Sequence, residues 1–133
     1  MLDADHVYYL ALGDSLTRGI GDETNSFGFT GLLANEIEKS PNVLSVELDN
    51  RGKNGRRSDQ LLKLLENGYY NEELKKASFI TISIGGNDVM RIVKKDLFNL
   101  KVSMFEKALP SFVQRYNEII RLIREQTDVP IVL

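Results

Sequence analysis

Apolar residues fall along this chain in two kinds of pattern. Short runs occupy residues 7–12 (Val-Tyr-Tyr-Leu-Ala-Leu), 43–48, 79–84 and 129–133. Runs of that length, without helical spacing, predict buried strands. Between them, apolar side chains recur every three or four positions. Phe29, Leu32, Leu33 and Ile37 form one series, and Leu61, Leu62 and Leu65 a second. The longest runs through Phe105, Leu109, Phe112, Val113, Tyr116, Ile119, Ile120 and Ile123. Such spacing puts each series on one face of a helix, and the stripes are expected to be core. Pro110 interrupts the last series, so either the helix kinks there or a new one starts near it.

Strands alternating with helices predict an α/β fold with a parallel sheet covered on both faces. Right-handed crossovers leave few topologies, and a flavodoxin-like three-layer α/β/α arrangement with strand order 2-1-3-4 is the simplest. The 133 residues are enough for a single domain, and no linker, repeat or low-complexity stretch divides them.

In an open parallel sheet, ligands bind beyond the carboxyl ends of the strands. Gly13-Asp14-Ser15-Leu16 follows the first predicted strand, Asp49-Asn50-Arg51-Gly52-Lys53-Asn54-Gly55-Arg56 the second, and Gly85-Gly86-Asn87-Asp88 the third. Each segment carries a residue type useful in acyl transfer. A serine hydroxyl attacks a carbonyl carbon. A glycine lets its N–H approach substrate with no side chain in the way. An asparagine amide donates to the oxygen that becomes negative. Each also has a structural reading: Ser15 as a helix N-cap, Gly52 and Gly55 as turn residues, Asn87 as the cap of a helix beginning near Asp88. Asp14 and Asp88 are expected to be acceptors that hold their loops.

Taken in order, the three blocks resemble the GDSL family of esterases and lipases, also called SGNH hydrolases. The resemblance runs from about Val7 to the last residue. It implies that Ser15 is the nucleophile and gives a backbone N–H to the oxyanion hole. It further implies that Gly55 gives a second backbone N–H and Asn87 the side-chain donor. The phrases Ala11-Leu12-Gly13-Asp14-Ser15-Leu16-Thr17, Gly21-Asp22-Glu23 and Ile84-Gly85-Gly86-Asn87-Asp88-Val89-Met90 look most like a lipase/acylhydrolase branch of Gram-positive bacteria. The implied reaction is hydrolysis of a small ester or lipid through an acyl-serine, with no cofactor and no metal.

A serine hydroxyl needs a base to take its proton. The family draws that base from an Asp-x-x-His block, whereas this sequence has one histidine, His6, ahead of the first strand. Six residues at about 3.3 Å each put His6 roughly 20 Å or more from Ser15. Asp14 and Asp88 are near in sequence, but with an ordinary pKa of about 3.9 an aspartate is a feeble base at neutrality. The chain is therefore expected to be the N-terminal portion of a longer hydrolase, ending after the fourth strand. It would keep the nucleophile and oxyanion hole but have little or no turnover. A non-catalytic binding module of the same fold is the alternative. A nucleotide- or flavin-binding domain fits less well, because Gly19-Ile20-Gly21 lacks the remaining spacing of a phosphate loop. With no fifth strand, the fourth becomes a parallel edge, and a homo-oligomer through that edge is expected.

Composition narrows the partners. Hydrophobic residues make up 42% and charged residues 27%, as in ordinary soluble domains. Seventeen basic against nineteen acidic residues leave a net charge of −2, which gives nucleic-acid binding no support. Without cysteine there is no disulfide, no thiolate nucleophile and no Cys-based zinc site. One histidine and scattered acids offer no closed metal ligand set. No apolar stretch approaches the roughly 20 residues of a membrane span. The first six residues do not form a signal peptide, although the resemblance implies a parent that is secreted or tied to the cell envelope. Arg56 and Arg57 either steer an anionic substrate group or are solvated residues at a helix start. Tyr69 and Tyr70 either line an acyl groove or pack.

Overall fold

A computed structural model describes residues 5–19, 28–95 and 97–133. Four parallel strands form one sheet in the order β2-β1-β3-β4. They are β1 (Asp5–Gly13), β2 (Val43–Gly52), β3 (Phe79–Ser83) and β4 (Ile131–Val132). The helices are α1 (Ser15–Arg18), α2 (Gly28–Glu38), α3 (Ser58–Glu66), α4 (Asn71–Lys76), α5 (Gly86–Lys95) and α6 (Val102–Gln126). The predicted class and strand order are the ones observed. Gly21-Asp22-Glu23 and the Ile20-Gly21 part of the weak phosphate-loop pattern lie outside the described residues.

The central strand β1 sorts its side chains to two faces, as a period of two requires. Leu10 and Leu12 join Ile80 and Ile82 of β3 under Leu61 and Leu65 of α3, Leu74 of α4, and Ile119 and Ile123 of α6. Tyr9 and Ala11 point the other way, onto Ala34 of α2. Tyr9 stacks on Phe79 at 4.3 Å and shares a 2.7 Å hydrogen bond with Thr81. Every residue from Tyr9 to Leu12 is fully buried. Each fully buried large apolar side chain contributes roughly 1.5–3 kcal/mol.

Several boundaries differ from expectation, each for a physical reason. Strand β2 runs four residues past the predicted end at residue 48, so the polar segment Asp49-Asn50-Arg51-Gly52 is strand rather than loop. Backbone pairing with β1 as far as Gly13↔Gly52 holds it, whatever its side chains. Helix α5 begins at Gly86, which puts Asn87 inside the first turn rather than at a cap. Helix α6 continues unbroken through Pro110; the ring removes one N–H donor and the rest of the helix carries on. Not every stripe is core. Phe29 and Leu32 on α2, and Leu109 and Val113 on α6, are exposed. On α2 the sheet is met instead by Thr30, Gly31 and Ala34, residues small enough for close approach.

Candidate active site at the carboxyl rim of the sheet

The rim is built from the end of β1 outward. Gly13 has φ +152°, and a Cβ there would stand 2.2 Å from the Ser83 carbonyl oxygen and 2.4 Å from Thr17 Oγ1. Only glycine lets β1 and β3 close at this point. The next N–H, of Asp14, donates to the same Ser83 carbonyl at 3.1 Å. Asp14 is the N-cap of α1, its Oδ1 accepting from the Leu16 N–H at 3.0 Å. Ser15 is therefore the first helical residue and not the cap. Among the described residues neither its hydroxyl nor its N–H has a hydrogen-bond partner. The first N–H groups of a helix are left over by its geometry.

A clamp that sequence reasoning missed holds α1 in place. Asn50 donates to the Thr17 carbonyl at 2.7 Å and accepts from the Gly52 N–H at 2.9 Å. Thr30 of α2 adds a second donor to the Thr17 carbonyl at 3.3 Å. Gly52 lies so close under α1 that a Cβ would be 2.5 Å from the Arg18 nitrogen. The available sequence signal was an asparagine two residues before a glycine, shortly after the apolar run 43–48.

On the β2 side, Lys53 donates to the Gly13 carbonyl at 3.1 Å, and the Arg56 N–H closes a turn on the Lys53 carbonyl at 3.2 Å. Gly55 occupies the third position of that turn with φ +80°, a conformation that by itself selects glycine. Its N–H has no acceptor among the described residues. Arg56 is half-buried. Its guanidinium donates to the Arg51 carbonyl at 2.9 Å and to the Tyr70 hydroxyl at 3.3 Å. Arg57 pairs with Asp59, and that hydrogen bond holds the Asp59 carboxyl below its usual range. Tyr70 is buried and Tyr69 exposed.

On the β3 side, Asn87 Nδ2 donates to the Arg56 carbonyl at 2.9 Å, tying the two flanking loops together. A carbonyl partner fixes which amide atom is nitrogen and leaves a second N–H of that group for another acceptor. Asp88 crosses to α3, where its carboxylate accepts from the Ser58 N–H at 2.9 Å and the Ser58 hydroxyl at 2.7 Å. Arg115 of α6 completes the network. Its Nε reaches the Ser58 hydroxyl at 2.9 Å and a terminal nitrogen lies 3.5 Å from Asp88 Oδ1. Ser58 is wholly buried. Neither Ser58 nor Arg115 was singled out from the sequence. At Gly86 a Cβ would stand 3.8 Å from Asp14 Oδ2, so the β3 loop also reaches the cap of α1.

Two depressions flank this rim. One, of about 830 Å³, opens on the β2 side and includes Gly52, Gly55, Arg18 and both Tyr69 and Tyr70 in its wall. The other, of about 440 Å³, lies between α5 and α6 and is mostly apolar, with Val89, Ile92, Phe105 and Phe112 around Gly85 and Asp88. Ser15 and Asn87 line neither; they stand on the rim from which both open. His6 is exposed at the opposite end of β1, beside Ser45 of β2.

A parallel α/β sheet that gathers a serine, a positive-φ glycine and an asparagine onto one carboxyl rim defines a class, the SGNH-type hydrolase fold. The chain belongs to the GDSL-like lipase/acylhydrolase family, whose model matches residues 9–132. It is 36% identical over 124 residues to the protein YpmR of Bacillus subtilis, covering 93% of this chain and 48% of that one. It is 31% identical over 117 residues to the spore germination lipase LipC of Bacillus licheniformis, covering 88% of this chain and 55% of that one. Among solved structures, the lipase Lip_vut3 from a goat rumen metagenome superposes with a TM-score of 0.79 at 30% identity, covering 92% of this chain and 58% of that one. The chain spans about half the length of the curated relatives it matches. Among the described residues, no helix is long and apolar enough to cross a membrane.

Proposed function

We propose that these residues are the nucleophile-bearing part of a serine acylhydrolase. Ser15 Oγ attacks the ester carbonyl. The Ser15 and Gly55 N–H groups and the Asn87 amide receive the oxyanion, the ester C–O bond breaks to release the alcohol and leave an acyl-serine, and water then releases the acid. One observation carries the reading: Asn87 is locked on the Arg56 carbonyl with an N–H to spare, in the helix that follows β3, and β3 pairs with the strand leading into Ser15, whose hydroxyl has no partner among the described residues. Losing one oxyanion donor of this kind costs about 10²–10³ in turnover.

The reaction also needs a base, and among the described residues none is placed for it. The one histidine sits at the far end of β1, and Asp14 and Asp88 are occupied in capping α1 and α3. We therefore expect little or no turnover from this chain alone. A base supplied from solution tests the rest of the site. The chain is incubated with p-nitrophenyl butyrate and imidazole, and acylated residues are located by mass spectrometry. Butyrylation of Ser15, abolished in Ser15→Ala and much reduced in Asn87→Ala, is the expected result. Acylation spread over lysines with Ser15 untouched would overturn the assignment.

A further inference from the structure

The larger depression has a charge character at odds with the chain as a whole. The protein carries a net charge of −2, yet Arg18, Arg51, Lys53, Arg56 and Lys63 all line this one cleft, and no Asp or Glu does among the described residues. The five cations are not equivalent. Arg51 is neutralised by Asp49 at 2.6 Å and approached by Glu73 at 3.8 Å. Arg56 spends two of its donors on the Arg51 carbonyl and the Tyr70 hydroxyl. Arg18, Lys53 and Lys63 form no ion pair among the described residues. They come from α1, the β2–α3 turn and α3, three elements that converge on one concavity. The rest of the wall combines the neutral hydrogen-bonding side chains of Asn54, Gln60 and Asn67 with apolar surface from Leu64 and the rings of Tyr69 and Tyr70.

Clefts lined by one sign of charge focus their field and concentrate a counter-ion. This one starts at Gly55, in the turn whose backbone bonds to the Gly13 carbonyl two residues before Ser15. A group bound there sits beside the rim, on the side away from the apolar α5–α6 groove. We propose that the cleft receives a phosphate group carried by the alcohol portion of the ester, so that the substrate class is esters of anionic alcohols. This rests on the acylhydrolase reading for its meaning, but the binding itself is measured without catalysis.

The test is an amide NMR titration of the isotope-labelled chain with sn-glycerol 3-phosphate, with monomeric dihexanoyl phosphatidylglycerol, and with glycerol as the uncharged control. Saturable shifts at Lys53, Asn54, Gly55, Lys63 and Asn67 with either phosphate, and none with glycerol, are expected. Shifts with glycerol 3-phosphate identify a soluble phosphoester as sufficient. Shifts with the lipid alone identify a headgroup that needs its diester. The Lys53→Ala/Lys63→Ala variant should bind about tenfold or more weakly, whereas Lys94→Ala/Lys95→Ala on α5 should not change. Raising salt from about 20 to 200 mM should weaken binding as charge screening requires. Absence of shifts with both phosphates, or equal binding by the two lysine variants, overturns the proposal. Either result stands apart from Ser15 acylation, which reports on the catalytic reading alone.

Discussion

The two flanks of the rim are built differently. On the β3 side, Asn87 sits in a helix whose first turn is fastened by Asp88 to Ser58 and Arg115, side chains 27 to 57 residues apart in pairings that bridge three helices. On the β2 side, Gly55 occupies an exposed turn held by two backbone hydrogen bonds and by the Asn87 amide on the Arg56 carbonyl, and a Cβ at Gly55 would meet nothing within 4 Å. One flank is fixed by half-buried charges that must be satisfied together; the other is fixed by chain geometry and open to solvent. The Asn87 amide on the first is thereby held in place, while the Gly55 N–H on the second lies in an open turn.

The sharpest way to break the rim is at the strand both flanks share. Gly13→Ala forces a Cβ into the Ser83 backbone at 2.2 Å, where no flexible side chain can yield. Overpacking and backbone strain together put the cost at about 3–5 kcal/mol, and urea unfolding should show most of the chain's stability gone. A Gly13→Ala protein that melts like the parent would mean that β1 and β3 do not close as described.

Next in size is the β3 network. Asp88→Ala leaves the buried Ser58 N–H and the Arg115 guanidinium without their acceptor, which should cost about 2–4 kcal/mol. Asp88→Asn keeps the shape, loses the charge and should cost less. A double-mutant cycle with Arg115→Ala measures the coupling, expected at about 1 kcal/mol or more for groups in one network. Additive losses would show that Arg115 merely lies nearby. By contrast Gly55→Ala should cost only about 1–2 kcal/mol, the price of a left-handed residue with no clash, and Gly55→Asn less. That gap between the flanks is the comparison in numbers.

The same contrast explains what the sequence could disclose. Strands with apolar runs were legible, as were the positions of Ser15, Gly55 and Asn87, because each follows an apolar run with glycine at or just beyond the strand end. The polar end of β2 was not, since backbone pairing ignores side-chain polarity. Helix α1 is four residues long, too short for any period to register. Phe29 and Leu32 have the right spacing for core and lie outside it, because Thr30, Gly31 and Ala34 allow α2 to seat on its small-residue face. The Asp88–Ser58–Arg115 network was invisible for a different reason. A charged residue on a helix reads as surface until a partner from another element is seen beside it.

The smallest expected effect concerns how the β2 flank is anchored from below, and its pH-dependent part shows only on the alkaline side. The Tyr8 hydroxyl donates to Asp49, Asp49 also holds Arg51, and the Arg51 carbonyl accepts from Arg56 next to the Gly55 turn. Burial first, then the bond to the Asp49 carboxylate, pushes the Tyr8 pKa well above its usual value of 10.0. Burial raises Tyr116 in the same direction, and raises Tyr9 against an opposing bond to Thr81. A raised folded-state pKa means that the folded protein keeps the proton more tightly than the unfolded chain does. The contribution is therefore complete below the unfolded value of about 10 and is lost as pH climbs from there toward the folded value. The urea midpoint should stay flat across pH 7–9 and fall above about pH 10. Tyr8→Phe should lower the plateau slightly and flatten the alkaline fall more than Tyr116→Phe does. An alkaline limb indifferent to Tyr8→Phe would detach Tyr8 from the support of this flank.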